Sequence, residues 1–204
     1  MKYSFFAIIS RLRNISRWTL MRNMLPENVQ EHSHMVAVIA HALAIIRKDV
    51  YGLDADPGKE VINALFHDAS EIFTGDLPTP VKYFDPDIKT AYKRVESVAS
   101  TKLLSTLPKE LRASYTEILT PLNKNETNGV YSEDSYSIVK AADKLAAYIK
   151  CLEELKSGNQ EFKLAAKQSR VKLDALKSPE VDYFIKHFIP AFELTLDELD
   201  FSME

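Results

Sequence analysis

Apolar side chains recur every three or four residues along almost the whole chain, and this pattern predicts helices nearly throughout. Phe5, Ile8, Ile9 and Leu12 open the series. Asn14 to Asn28 then reads as an irregular connection ending near Pro26. From Glu31 to Arg47 the chain is apolar almost all round, so this helix is expected to be central and buried. Asp56-Pro57 is a strong helix start, with Asp as the cap and Pro in the first turn. That helix is expected to run to about Phe73 and stop before Gly75. The stretch Gly75-Asp76-Leu77-Pro78-Thr79-Pro80 is too rich in proline to continue it. Further helices are predicted over Ile88 to Thr106, from Pro108 to near Leu119, over Tyr136 to Lys156 and Glu161 to Leu176, and around Pro179 to Phe188. Asn123 to Ser135 reads as a polar surface loop. With no alternating strand run, internal repeat or low-complexity segment, the expected fold class is all-α, as one domain over residues 1–204.

Composition narrows the function. The 204 residues are 46% hydrophobic, ample for a continuous core, and their formal net charge of −3 argues against a partner that is a nucleic acid polymer. Cys151 is the only cysteine, so no intramolecular disulfide forms, which fits a reducing, cytoplasmic setting. Phe5 to Ile9 is too short for a signal-peptide core, and Arg11, Arg13 and Arg17 break up the residues beyond it. No stretch approaches the ~18 uninterrupted apolar residues of a membrane span. A soluble protein without a membrane partner is expected.

The residues that carry chemistry lie on three predicted helices. In Val61 to Phe73, the residues Ile62, Leu65, Ala69, Ile72 and Phe73 form one apolar stripe, and His67, Asp68 and Glu71 fall together on the other side. Imidazole nitrogen and carboxylate oxygen both suit divalent transition metals, although a solvated polar face would have the same pattern. His32 opens the most apolar helix on the face of Val36, Ile39 and Leu43, where its ring nitrogens need partners. Asp143 lies opposite the stripe Ile138, Ala142, Leu145 and Ile149, among Val139, Ala146 and Ala147, small enough for another helix to come close. A carboxylate there is costly unless it binds metal or pairs with Lys140 or Lys144.

Together, His32, His67-Asp68 and Asp143 have the order and spacing of the HD-domain signature. Glu31-His32-Ser33, Phe66 to Glu71, Thr74 to Lys82 and Ala142-Asp143-Lys144-Leu145 resemble the bacterial HD-domain 5′-deoxynucleotidases. So do Arg17-Trp18, Met21-Arg22-Asn23 and Tyr148 to Leu155, so the resemblance covers nearly the whole chain. Only the loop around Asn123 to Asn128 looks longer than in that family.

The resemblance implies a metal-site core over about residues 28–156 with a helical C-terminal extension packed on it. It implies base-tolerant, metal-dependent hydrolysis of 2′-deoxyribonucleoside 5′-monophosphates by a homodimer. His32, His67, Asp68 and Asp143 would hold one divalent transition metal; such donors suit manganese, cobalt, iron and zinc alike. Dinuclear HD enzymes need further histidines between the second and last motifs, and none stands between His67 and Asp143. Asp68 and Asp143 would also touch substrate. Glu71 would act as general acid or base, and Arg17 would orient the phosphate. Trp18, the single tryptophan, would border the sugar and disfavour a 2′-hydroxyl, while Asp76, Leu77, Pro78 and Thr79 would form a substrate-contacting loop. His34, His41 and His187 receive no role, and His41 is expected to be structural. Competing readings are a deoxynucleoside triphosphohydrolase, a phosphodiesterase, or a non-catalytic helical module with a structural metal.

Overall fold

The first ordered segment follows the predicted spacing: α1 (Phe5–Ile9) continues into a 3₁₀ turn over Ser10–Asn14. The computed structural model describes residues 2–82, 84–120 and 133–199, apart from the side chains of 79–80 and 133–137. The irregular connection closes on itself, with an isolated antiparallel bridge between Ser16 and Asn28. Helix α2 (Val29–Ile45) then starts on a capping box: Asn28 accepts from the Glu31 N–H at 3.0 Å, and Glu31 accepts from the Asn28 N–H at 3.2 Å. A π turn over Ile46–Val50 ends it.

Next come α3 (Pro57–Phe66), α4 (Glu71–Thr74), α5 (Thr79–Lys82), α6 (Pro86–Ser105) and α7 (Lys109–Leu119). The chain closes with α8 (Glu133–Lys156), α9 (Lys163–Asp174) and α10 (Pro179–His187), with short 3₁₀ turns before α9 and after α10. Among the described residues there is no strand, so the all-α expectation holds. The expected loop over Asn123 to Ser135 lies largely outside the described residues.

Helix α2 is the central post. Val36, Ile39, Ala40 and Leu43 are buried against α3 and α8, in a core that also takes Leu173 of α9 and Val181 and Phe184 of α10. Val29–Val50 is long and apolar enough to cross a bilayer by length and composition, but it is no uninterrupted apolar run, as expected from the sequence, and the core helix of a folded protein has the same character. Its apolar surface serves the core instead, since 56% of that stretch is buried inside the protein. A second cluster joins Phe5, Ala69, Leu103, Leu107 and Leu119, and a third joins Cys151, Phe162 and Ala166 beneath Trp18.

Two expectations are corrected. The helix from Pro57 does not reach Phe73: it ends at Phe66, and residues 67–70 form tight turns before α4. The cause is local. The His67 Nδ1 donates to the Ala64 carbonyl at 2.7 Å, taking the acceptor that the next backbone N–H of a regular helix would use. The apolar stripe also does not face inward as a whole. Ile62, Leu65 and Phe73 are 45%, 41% and 40% exposed, and of the stripe only Ala69 is fully buried. The opposite side of α3, with Glu60 and Ala64, is the one turned to the core, because the polar chemistry sits there.

The irregular segment is pinned by a buried acid on α8. Glu154, fully buried, accepts from the Met24 and Leu25 N–H groups at 3.0 and 2.9 Å and from Asn159 Nδ2 at 2.7 Å. Lys150, one turn earlier, donates to Glu154 and to the Leu25 carbonyl. Burial alone would raise the Glu154 pKa, but Lys150, Asn159 and the two backbone N–H groups hold it down at about 2. Replacing Glu154 by Ala leaves a buried lysine uncompensated and should destabilise the fold by about 3–5 kcal/mol in thermal or urea unfolding. A depressed acid stabilises the fold above its unfolded value, about 4.3, and loses that contribution as pH falls toward 2. The melting temperature should therefore fall across that acidic window, and Glu154→Gln should flatten that part of the profile.

Candidate active site

Helices α2 and α8 approach closely because Ala40, Ala142 and Ala146 are buried between them. This brings His32, in the first turns of α2, within 3.1 Å of Asp143 (Nε2 to Oδ1). The turn after α3 supplies the other two groups. His67 Nε2 lies 3.1 Å from Asp68 Oδ2, and that oxygen lies 3.8 Å from His32 Nε2. The two imidazole centroids are 5.5 Å apart. With Nδ1 bonded to the Ala64 carbonyl, Nε2 is the ring nitrogen that faces the cluster. That Nε2 is buried and has no hydrogen-bond partner among the described residues.

These donors fit a divalent cation. Bonds of about 2.1 Å at right angles put adjacent donor atoms about 3 Å apart, close to the two 3.1 Å separations. Nitrogen and oxygen atoms of His32, His67 and Asp68 all lie within 4.8 Å of one another. Asp143 faces His32, while Lys144 donates to the Lys140 carbonyl.

The ionisation of each group is set by its close neighbours. Burial opposes charge on Asp68, but His67, His32 and Arg17 overcome it and hold the carboxyl well below the usual range. Asp143 is likewise lowered against burial, chiefly by His32. His67 is raised to about 9: burial works against it, and Asp68 more than compensates. Glu71, at the start of α4, is pushed up to about 9 by burial, with the carboxylates of Asp68 and Asp76 adding to the effect. It is 8% exposed, and its Oε2 has no hydrogen-bond partner among the described residues.

Arg17 reaches over this cluster. Its Nη1 stands 3.5 Å from Asp68 Oδ2 and 4.0 Å from Asp76 Oδ1, while its Nε donates to Glu27 Oε2 at 3.0 Å. The adjacent Trp18 donates from Nε1 to the same Glu27 oxygen at 3.1 Å. Trp18 has φ of 58°, a left-handed conformation that costs a bulky residue about 1–3 kcal/mol. Its surroundings impose it. The Trp18 carbonyl accepts from Met21 N–H at 2.9 Å and Asn23 Nδ2 at 3.1 Å, and its ring packs against Phe162 at 5.3 Å.

The loop after α4 closes the other side. Gly75 turns it with φ of 70°, a conformation suited to glycine. Tyr92 of α6 donates to Thr74 Oγ1 at 3.2 Å and Lys82 donates to Glu96 at 2.8 Å, tying the loop to α6. Burial raises Asp76, and Arg17 opposes that rise. Leu77 and Pro78 are half-buried on this loop; the side chain of Thr79 lies outside the described residues. His34 and His41 stand exposed on α2, so His41 has no packing role, and His187 stacks on Tyr183 with centroids 4.4 Å apart. The residue that sequence reasoning missed is Glu27. It lies in an irregular stretch with no periodicity and no local motif to mark it.

A profile of the family described as 5′-deoxynucleotidase YfbR-like matches residues 4–192. The chain is 49% identical over 195 residues to the 5′-deoxynucleotidase VP0926 of Vibrio parahaemolyticus, covering 96% of this chain and 97% of that one. It is 50% identical to the 5′-deoxynucleotidase YfbR of Shigella boydii, over 96% and 94% of the two chains. Among solved structures, an HD-domain phosphohydrolase from Listeria innocua superposes with a TM-score of 0.75 at 24% identity, covering 93% of this chain and 88% of that one. An HD phosphohydrolase of cyanophage S-2L, bound to dA and one catalytic Zn²⁺ ion, gives a TM-score of 0.59 at 19% identity, over 93% and 99% of the chains. At these identities the two structures speak for the fold alone.

Proposed function

The chain belongs to the 5′-deoxynucleotidase YfbR-like family, and from that premise we propose that it hydrolyses 2′-deoxyribonucleoside 5′-monophosphates to deoxyribonucleoside and phosphate. The observation that carries this reading is Arg17, which reaches the His32, His67, Asp68 and Asp143 cluster at Asp68 and shares a Glu27 oxygen with the neighbouring Trp18. A phosphate donor at a cation site, tied to an indole through one carboxylate, suits the two ends of a nucleotide's sugar phosphate.

His32, His67, Asp68 and Asp143 hold one divalent cation, which supplies Lewis acidity toward the phosphoryl group and makes nearby water easier to deprotonate. Arg17 orients the phosphate through its terminal nitrogens, since Nε is engaged by Glu27. Asp68 and Asp143 also border the phosphate. Glu71 moves the proton between water and the leaving 5′-oxygen. Trp18 lies against the sugar, and Asp76, Leu77, Pro78 and Thr79 flank the nucleoside without reading the base. The protein acts as one domain in the cytoplasm, its C-terminal helices sharing the core with α2 and α8. Homodimerisation follows the family, and exposed Ile62 and Leu65 on α3 offer apolar surface for it.

The test is a phosphate-release panel of mono-, di- and triphosphates, ribo and deoxy, with and without divalent metal. Inorganic phosphate from deoxymonophosphates, dependent on metal, is expected. Preferred release of pyrophosphate or triphosphate would overturn the reading in favour of another HD hydrolase. Within the same panel, Trp18→Ala should lower the ratio of kcat/KM for deoxyadenosine over adenosine monophosphate. A hydroxyl buried without a partner costs enough for roughly ten- to hundredfold discrimination, and removing the ring opens room to solvate it. Deoxynucleotide binding should weaken too, because the indole contributes contact area to both sugars.

A further inference from the structure

Arg17 and Trp18 are neighbours in sequence, yet nothing in their backbone requires their side chains to act together. What joins them is a single oxygen. Glu27 Oε2 accepts from Arg17 Nε at 3.0 Å and from Trp18 Nε1 at 3.1 Å. The main chain repeats the tie: the Arg17 N–H donates to the Glu27 carbonyl at 2.9 Å, beside the bridge between Ser16 and Asn28. Glu27 is therefore held as the fixed partner, and the two longer side chains hang from it.

This has two geometric consequences. Arg17 spends its Nε on Glu27, which leaves Nη1 facing Asp68 and Asp76, on the side where the His32, His67, Asp68 and Asp143 side chains converge. Trp18, in its left-handed conformation, has its indole edge fastened at Nε1, so the ring cannot rotate away from the site without giving up a charge-assisted hydrogen bond. The separation between phosphate donor and indole face is fixed by one carboxylate.

We propose that Glu27 is the positioning residue that couples phosphate capture to sugar selectivity, by locking Arg17 and Trp18 into one rigid unit. The proposal rests on the functional reading in which Arg17 holds the phosphate and Trp18 faces the sugar. It makes the two recognitions interdependent. A ribonucleotide is disfavoured because its anchored phosphate forces its 2′-carbon against a ring that cannot yield. If the ring is loosened, selectivity fades although the tryptophan is still present.

Trp18 is the only tryptophan, so intrinsic fluorescence reports on this one ring without any need for turnover. In the full-length protein, Glu27→Ala should red-shift its emission and make it more accessible to acrylamide, with unchanged metal content and helical circular dichroism. Its kcat/KM for deoxyadenosine monophosphate should fall roughly ten- to hundredfold, the range for a lost hydrogen bond to a charged group, mostly through KM. The preference over adenosine monophosphate should fall with it. Glu27→Gln keeps one neutral acceptor of the same shape and should lie between wild type and Glu27→Ala in every readout. That graded order is not expected of a residue that only supports the fold.

Arg17→Ala and Trp18→Ala, measured alongside, separate the possible failures. If each shifts its own parameter while Glu27→Ala leaves KM, sugar preference and fluorescence unmoved, the coupling role is overturned and the functional reading stands. If Arg17→Ala and Trp18→Ala also leave KM and sugar preference unmoved, the reading itself is overturned, and the coupling role with it.

Discussion

Removing divalent metal should reduce phosphate release from deoxyadenosine monophosphate to background, and adding manganese, cobalt or zinc back should restore it. The effect is expected to be about a thousandfold or more, because Lewis-acid stabilisation is worth several kcal/mol and each ~1.4 kcal/mol is tenfold in rate. The physical ground is the convergence of His32, His67, Asp68 and Asp143, where two pairs of donor atoms stand 3.1 Å apart with no lysine or arginine among the four. Metal should also stabilise the fold, since the folded chain presents the donors together and the unfolded chain does not. A melting temperature that rises with metal in the wild type, but not in His67→Ala, gives a readout independent of turnover. His67→Ala removes one donor and should abolish tight metal binding, seen as loss of bound metal after dialysis. Full activity in excess chelator would exclude a metal-dependent reaction.

How much of this was legible in the sequence depends on the range of the interactions involved. The helices were visible because burial of one face leaves a period of three to four residues, and α2, α6 and α8 lie close to their predicted bounds. The four clustered residues, His32, His67, Asp68 and Asp143, were visible in their order along the chain, although no periodicity argument could bring His32 to Asp143 across 111 positions. The helix break at His67 was hidden because it depends on a side-chain bond to the Ala64 carbonyl, which competes with the helical ladder only once the imidazole is turned inward. The orientation of α3 was misread for a related reason. An apolar stripe is normally the buried one, but here the inward side carries the chemistry and Ile62 and Leu65 remain outside. Glu27 and Glu154 were illegible for a third reason. Each acts on backbone or side chains of an irregular segment, where sequence spacing says nothing of direction.

Glu71→Ala should keep its metal and lose turnover by about 10²–10⁴-fold, the usual contribution of a positioned proton carrier. Two features separate Glu71 from the donors. It begins α4, after the turn that presents His67 and Asp68, and the carboxylates that stand within 4 Å of the two imidazoles are those of Asp68 and Asp143. It is nevertheless buried, close enough to Asp68, Asp76, Arg17 and His67 to interact with each electrostatically, and its Oε2 has no hydrogen-bond partner among the described residues. A carboxyl in such a position costs stability unless something uses it, which is the pattern expected where a group is kept for a reaction rather than for packing. Removing it should therefore leave melting temperature unchanged or raised, in contrast to Glu154→Ala, where a buried network collapses. Glu71→Gln should be nearly as inactive as Glu71→Ala, because the amide preserves shape and hydrogen bonding but cannot exchange the proton on the catalytic timescale. Elemental analysis and kinetics on the same preparation make the separation. A Glu71→Ala protein that loses its metal together with its activity would place Glu71 among the ligands or their immediate supports, and the proton would have to be carried by another group.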